Sequence, residues 1–401
     1  MIAEQKMSPW IVLTLVLCLN VAAMFTIASM PPLFSEIITE IELSRAQMGS
    51  LMGMIVLAAF IFAPIGGMLS DRIGCRWAVG IGILMAAVAG GLRAIADTPF
   101  GLIACMFAVG MGFNIVTPSI PKVFGLWFPP ARLAFVNGIS MAGVGLGGAV
   151  ATAMAASLFS PLFGGWRGVM VAMGFFLLLA GILWVLVYRD PAAETPQLGK
   201  RPRMLDGFKQ VAKIRDIRLL GGLFCLQSLG FLPVSAFLPI SLTERGIAHA
   251  GELAAIIMAV SVIFNVVGGR ISDAIGRRKP IIIFGTTIAG LCVFTYSSLS
   301  GIPLILMLVI TGAGIGALMP IVFTMPIEME SVGPELAATA VGFMMMFQSV
   351  SGSLGPIVTG KLIDVTGSYL AGFIFMGSAI ALAALFAIPM KETGRKVSLL
   401  P

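Results

Sequence analysis

Long apolar runs dominate the chain, and short polar stretches separate them. A helix needs about 20 mostly apolar residues to cross a bilayer, and runs of that kind fill the sequence. The pattern therefore predicts an all-α polytopic membrane protein with twelve transmembrane helices. The predicted spans cover residues 9–31, 46–69, 77–96, 100–124, 133–158, 167–188, 218–242, 251–270, 280–299, 302–324, 337–360 and 371–390.

One polar stretch occurs twice. Seven of the eleven residues in 66–76, between the second and third spans, recur as the same residue type in 268–278, between the eighth and ninth, at an offset of 202 positions. The same register holds outside the loops, since Pro118 is matched by Pro320. A register kept over such a length indicates an internal duplication. We therefore predict two pseudo-symmetric six-helix bundles, residues 1–188 and 218–401.

Composition and charge sharpen this picture. The chain is 58% hydrophobic and 11% charged, whereas soluble domains carry about 25% charged residues. Of the 25 Lys and Arg residues, 20 fall in the set of loops that contains both termini, the repeated stretches and the segment 189–217. By the positive-inside rule this set is cytoplasmic. The net charge of +7 is then a topology signal, and nucleic acid is not an expected partner.

Candidate catalytic and metal motifs are lacking in the sequence. His249 is the only histidine, so no paired-histidine zinc motif or serine–histidine dyad can form. Residues 143–148 formally match a dinucleotide-binding glycine pattern, but they lie inside an apolar span without a preceding strand, which indicates helix packing. We expect no enzyme activity, no cofactor and no metal.

The repeated stretch resembles the signature loop of the major facilitator superfamily, Gly-x-x-x-Asp-Arg-x-Gly-Arg-Arg. Cys75 and Ala274 replace two of its usual basic residues. The resemblance implies a secondary transporter with alternating access, in which the loops latch the cytoplasmic side. It also implies that Asp71 contacts the N-terminal end of span eleven. The implied latch residues are Gly67, Asp71, Arg72, Gly74, Arg76, Arg132, Gly269, Asp273, Gly276, Arg277, Arg278 and Glu335. Charges that merely face water are the simpler alternative.

A weaker resemblance concerns the branch of the family. Trp127-Phe128-Pro129, followed by Asn137-Gly138, is similar to the nitrate/nitrite, cyanate and organic-anion porters. The nitrate-binding arginines are missing from spans two and eight, however. The arginine that proton-coupled members carry in span four is Met106 here. A small solute such as a small anion or organic acid is the favoured substrate. The alternatives are an exporter of amphipathic drugs or metabolites and a non-transporting membrane sensor.

Uncharged polar residues near mid-membrane are the candidate substrate ligands. With a helical rise of 1.5 Å per residue, four of them lie roughly 10–20 Å from the cytoplasmic ends of their spans. Two asparagines lie nearer to those ends. Lys122 would meet an anion at the cavity mouth, and Arg93 is expected to snorkel to the opposite interface. The candidates are Asn20, Asn114, Asn137, Ser140, Gln227, Gln348 and Lys122. Interhelical hydrogen bonds are the alternative role.

The expected partners are the bilayer, a small-molecule substrate, and a coupling proton or counter-transported anion. We expect a functional monomer in a bacterial-type inner membrane, with both termini cytoplasmic.

Overall fold

The computed structural model describes residues 7–191, 204–329 and 331–393. This part of the chain is helical throughout and contains no strand. The helices are α1 Pro9–Ala28, α2 Phe34–Glu40, α3 Arg45–Leu92, α4 Pro99–Val116, α5 Ser119–Trp127, α6 Pro130–Met154, α7 Ser160–Phe163, α8 Trp166–Val187, α9 Met204–Lys213, α10 Arg215–Glu244, α11 Ala250–Ile275, α12 Lys279–Phe294, α13 Gly301–Glu328, α14 Gly333–Thr366 and α15 Tyr369–Ala387.

Ten helical segments in the described residues are long and apolar enough to cross a membrane. The predicted spans two and three are the two arms of α3, joined at Gly74, whose φ of +82° interrupts the helix. Only glycine adopts such a backbone angle at little cost. The ninth predicted span is α12, a shorter apolar helix of 16 residues. Eleven of the twelve predicted spans therefore coincide with an observed helix or helix arm, and the fourth, 100–124, covers α4 and most of α5.

Contacts group the chain into two units, and the first comprises residues 1–41 and 57–197. In this unit α1 packs against α6 and α8. Aromatic side chains fill the core near the end of α8, where Trp184 stacks on Tyr188 with ring centroids 4.2 Å apart. Burying aromatic groups of this size contributes much of the favourable packing. Tyr188 also contacts Trp127 of α5, with ring centroids 6.3 Å apart, so this cluster joins the end of α8 to α5.

The second unit comprises residues 42–56 and 198–401. Here α10 packs against α14 and α15. Adding 202 to the residue numbers of α6 and α8 gives positions almost all of which lie within α14 and α15. The helix pairing of the first unit therefore recurs in the second at the repeat offset. This recurrence is what an internal duplication predicts.

Helix α3 begins at Arg45 with a capping box, and residues 44–47, Ser-Arg-Ala-Gln, have the sequence pattern that predicts one. The backbone N–H of Gln47 donates to Ser44 Oγ at 3.2 Å, and the N–H of Ser44 donates to Gln47 Oε1 at 2.9 Å. The two bonds satisfy donors that a helix start otherwise leaves free. This start belongs to the second unit, whereas the rest of α3 belongs to the first.

Candidate functional site

The first repeated loop is closed by a carboxylate that comes from the end of α8. Asp190 accepts the backbone N–H of Cys75 on Oδ1 at 3.0 Å and that of Arg76 on Oδ2 at 3.2 Å. The Arg76 side chain donates from Nε to the carbonyl of Val185 at 2.8 Å. The kink at Gly74 frees these N–H groups, and the anion satisfies them at the positive end of the second arm of α3.

The second repeated loop is closed in the same way. Gly276 ends α11 with a φ of +67°. Glu392 then accepts the N–H groups of Arg278 at 2.6 Å and Lys279 at 3.3 Å. The nearly buried guanidinium of Arg278 pairs with Glu328 at 2.6 Å. Residue 392 lies 202 positions after Asp190, so the repeat offset predicts this carboxylate, although the loop motif alone does not.

Asp71 and Lys122 form an ion pair beside the first loop. Lys122 Nζ lies 3.1 Å from Asp71 Oδ1 and 3.2 Å from the carbonyl of Ser70. Both side chains are partly exposed, and exposed pairs of this kind contribute about 0–1 kcal/mol. The structure thus places Lys122, a candidate substrate ligand, against a latch residue. Three further latch arginines are exposed: Arg72, Arg132 and Arg277.

Four latch residues make no described side-chain contact: two are glycines within helices, and the side chains of the other two lie outside the described part of the structure. Gly67 and Gly269 sit within α3 and α11 as half-buried helix positions. The side chains of Asp273 and Glu335 lie outside the described residues. The roles of Asp273 and Glu335 in the latch therefore stay predictions.

The candidate substrate ligands Asn20 and Ser140 meet in the first unit. Asn20 Nδ2 donates to Ser140 Oγ at 2.8 Å and to the Ser140 carbonyl at 3.2 Å. These bonds tie α1 to α6 across 120 positions of sequence. Two other candidates bond within their own helices: Asn114 Nδ2 donates to the carbonyl of Gly110, and Asn137 Nδ2 to that of Leu133, each at 2.8 Å.

Gln227 is the most unusual polar residue of the second unit. Only 1% of it is exposed, and neither Oε1 nor Nε2 has a hydrogen-bond partner among the described residues. Buried amides are normally paired, because an unpaired group costs about 1–3 kcal/mol. Gln348 on α14 is half-buried. Its main-chain carbonyl accepts a hydrogen bond from the hydroxyl of Ser351 at 3.2 Å. Asn265 on α11, which the sequence analysis did not single out, also has a buried, unpartnered Oδ1.

The start of α3 carries a polar cluster that the sequence analysis missed. Asp364 accepts the N–H groups of Arg45 and Ala46, each at 2.9 Å, and thereby caps the helix. The Arg45 guanidinium pairs with Glu244 at 2.7 Å, and the Tyr369 hydroxyl donates to the same carboxylate oxygen at 2.9 Å.

Glycines bring the backbones of α3 and α14 together below this cluster. A Cβ at Gly49 would overlap the carbonyl of Pro356, and one at Gly360 would overlap that of Arg45. A side chain at either position would therefore force the two helices apart.

Arg93 corrects a prediction. It does not snorkel, because its side chain is fully buried, at 0% exposure. Its guanidinium turns inward and donates to the carbonyl of Thr26 at 2.9 Å and to the thioether of Met106 at 3.5 Å. The cation thus reaches the side chain of Met106 on α4.

Comparisons with known proteins agree with this architecture. The family model described as Major Facilitator Superfamily matches residues 15–261 and 225–399. The chain is 24% identical to the hexuronate transporter of Bacillus subtilis, over 87% of this chain and 86% of that protein. It is also 24% identical to a probable sulfoacetate transporter of Cupriavidus necator, over 90% and 88%. A bacterial homologue of the human lysosomal transporter Spinster, in an inward-facing, occupied conformation, shares the fold with a TM-score of 0.79, at 18% identity and 96% coverage of each chain.

Proposed function

The chain belongs to the major facilitator superfamily and is a secondary membrane transporter, and from that premise we propose that its cargo is a small organic anion. The observation that carries the proposal is the end-to-end similarity to relatives named for hexuronate and sulfoacetate. Both are compact solutes with several polar oxygens; a hexuronate carries one negative charge and sulfoacetate carries two. At 24% identity the relatives support the class of cargo rather than one compound.

The chemistry of the candidate ligands fits such a cargo. Amide side chains donate hydrogen bonds to carboxylate oxygens and accept them from hydroxyl groups. Gln227 has both functions available, since neither of its polar atoms is bonded within the described chain. Together with Gln348 it supplies ligands for the hydroxyl-rich part of a sugar acid. Asn20 and Ser140 would first have to break the bond between them.

We further propose that two sets of latches control access. Asp71 with Lys122 acts beside the repeated loops, and the Asp364 cap acts at the start of α3, at the other end of its first arm. The family resemblance implies that the loop side is cytoplasmic, and the cation distribution supports the same orientation. The chain then lies in an inner membrane with both termini inside, as a monomer of two bundles, residues 1–188 and 218–401, joined by 189–217. A proton or a counter-transported anion would drive the transport.

Uptake into proteoliposomes tests the cargo. Purified protein is reconstituted and offered labelled glucuronate, sulfoacetate, lactate, nitrite and neutral glucose, with and without a pH gradient. We expect saturable uptake of at least one organic anion and none of glucose. Uptake or expulsion of amphipathic dyes alone would instead favour the drug exporter, and the absence of any flux from well-folded protein would contradict the proposal.

A further inference from the structure

Arg93 is a fully charged group in an apolar environment. It lies in a short 3₁₀ turn, Arg93–Ile95, at the end of the apolar segment Arg45–Ile95, and none of it is exposed. No carboxylate among the described residues pairs with it. Removing an isolated charge from water is unfavourable, and charged groups inside membrane proteins commonly mark substrate or ion paths. The buried cation therefore requires an explanation.

The neighbours of Arg93 satisfy only part of the guanidinium. Nε donates to the carbonyl of Gly90 at 2.9 Å, and Nη1 donates to the carbonyl of Thr26 at 2.9 Å. Nη2 is buried and has no acceptor in the described chain. An arginine has five N–H donors and no acceptor. Donors on Nη2 and the charge itself thus stay without a strong partner.

Capping of α1 explains only one of these contacts. Thr26 lies in the last turn of that helix, whose free carbonyls favour a nearby cation. This interaction accounts for the bond from Nη1 to Thr26, and a purely structural role would stop there. A capping residue needs neither complete burial nor an unsatisfied Nη2.

Two thioethers also lie beside the guanidinium. The Sδ atom of Met106 lies 3.5 Å from Arg93 Nη1, and that of Met30 lies 3.9 Å from it. Thioether sulfur is a weak acceptor, and unbranched methionine side chains adapt their shape readily. They fill the space beside the cation without neutralising it, and they are able to move aside for a stronger acceptor.

We propose that Arg93, Met30 and Met106 form the subsite that receives the anionic group of the cargo. A carboxylate or sulfonate displaces the two thioethers, accepts the free N–H groups of Nη2 and neutralises the guanidinium. Charge-assisted bonds between arginine and such groups are the strong ones, and two parallel bonds also fix orientation. This inference rests on the proposed function, because it assigns a partner to the charge of an organic-anion cargo.

A substitution at Met106 separates this role from capping. Met106→Glu gives Arg93 a tethered carboxylate that competes with the cargo for the same donors. The matched control is Met111→Glu, which makes the same change five positions further along α4. Binding is measured on purified full-length protein by titrating its thermal unfolding with glucuronate and with sulfoacetate. We expect the dissociation constant of the bound anion to rise at least ten-fold in Met106→Glu and to change less than two-fold in Met111→Glu.

Arginine variants supply a second arm. Arg93→Lys keeps the charge but loses the planar pair of donors, so we expect several-fold weaker binding, and Arg93→Gln is expected to abolish it. Wild-type affinity in both Met106→Glu and Arg93→Lys overturns the subsite. Failure of both variants to fold also counts against it, since that result assigns the cluster a structural role alone. If the wild type binds neither anion, the proposed function itself fails, which is a different result.

Discussion

The substitution Gln227→Leu is expected to change stability and transport in opposite directions. Gln227 is 1% exposed, and both of its amide atoms lack partners in the described chain. A buried polar group without a bond costs about 1–3 kcal/mol. Leucine has a similar volume and no polar atom, so the free energy of unfolding is expected to rise by an amount in that range, about 1–3 kcal/mol.

Transport is expected to suffer from the same change. If the amide bonds the cargo, losing one hydrogen bond of about 1.4 kcal/mol raises the apparent KM about ten-fold. The assays are thermal unfolding in detergent and concentration-dependent glucuronate uptake in proteoliposomes. Gln348→Leu is expected to raise KM similarly but to leave stability nearly unchanged, because that residue is only half-buried.

Asn20→Leu is the control for a paired amide. It breaks the 2.8 Å bond to Ser140 Oγ, so stability is expected to fall by about 1 kcal/mol. If Gln227→Leu also lowers stability and leaves KM unaltered, Gln227 is a packing residue and the reasoning from its unpartnered amide is refuted.

Three further predictions concern the latches and the topology. Asp364→Asn is expected to weaken the cap on α3 by about 1 kcal/mol and to change the rate of cargo exchange. The control is Asp97→Asn, which changes a carboxylate that is 81% exposed and is expected to leave the exchange rate unchanged. Asp71→Asn is expected to lower turnover without reducing the folded yield, because its pair with Lys122 contributes little stability; equal turnover would remove the latch role. Single cysteines at positions 200 and 243 of a cysteine-free chain are expected to react with impermeant maleimide from opposite sides of the membrane, and labelling of both from outside intact cells would overturn the orientation.

The sequence predicts the architecture well because the signals behind it are long or repeated. The length of the apolar runs defines the spans. The offset of 202 positions, which pairs Asp71 with Asp273 and Pro118 with Pro320, defines the duplication. Local chemistry also works where it involves neighbouring residues, as in the capping box from Ser44 to Gln47, which the structure confirms.

Contacts between distant residues account for what the sequence did not predict. The direction of the Arg93 side chain depends on a carbonyl of α1 and a thioether of α4, 67 and 13 positions away. Periodicity contains no information about such a pairing. The Asp364 cap is hidden for the same reason, since its donors lie 319 and 318 positions away. Only the carboxylates at 190 and 392 had a usable signal, which was the repeat offset.

The contact at Cys75 bears on how this loop diverges during evolution. Asp190 accepts a hydrogen bond from the main-chain N–H at position 75. Any residue except proline supplies that N–H, so this bond does not require a basic residue at position 75, where the side chain is fully buried. A sequence search that requires the basic residues of the signature would reject the first loop because of Cys75, although the hydrogen bonds of the loop are formed. In distant homologues, the glycine and the carboxylate more than a hundred positions downstream are the better markers to align.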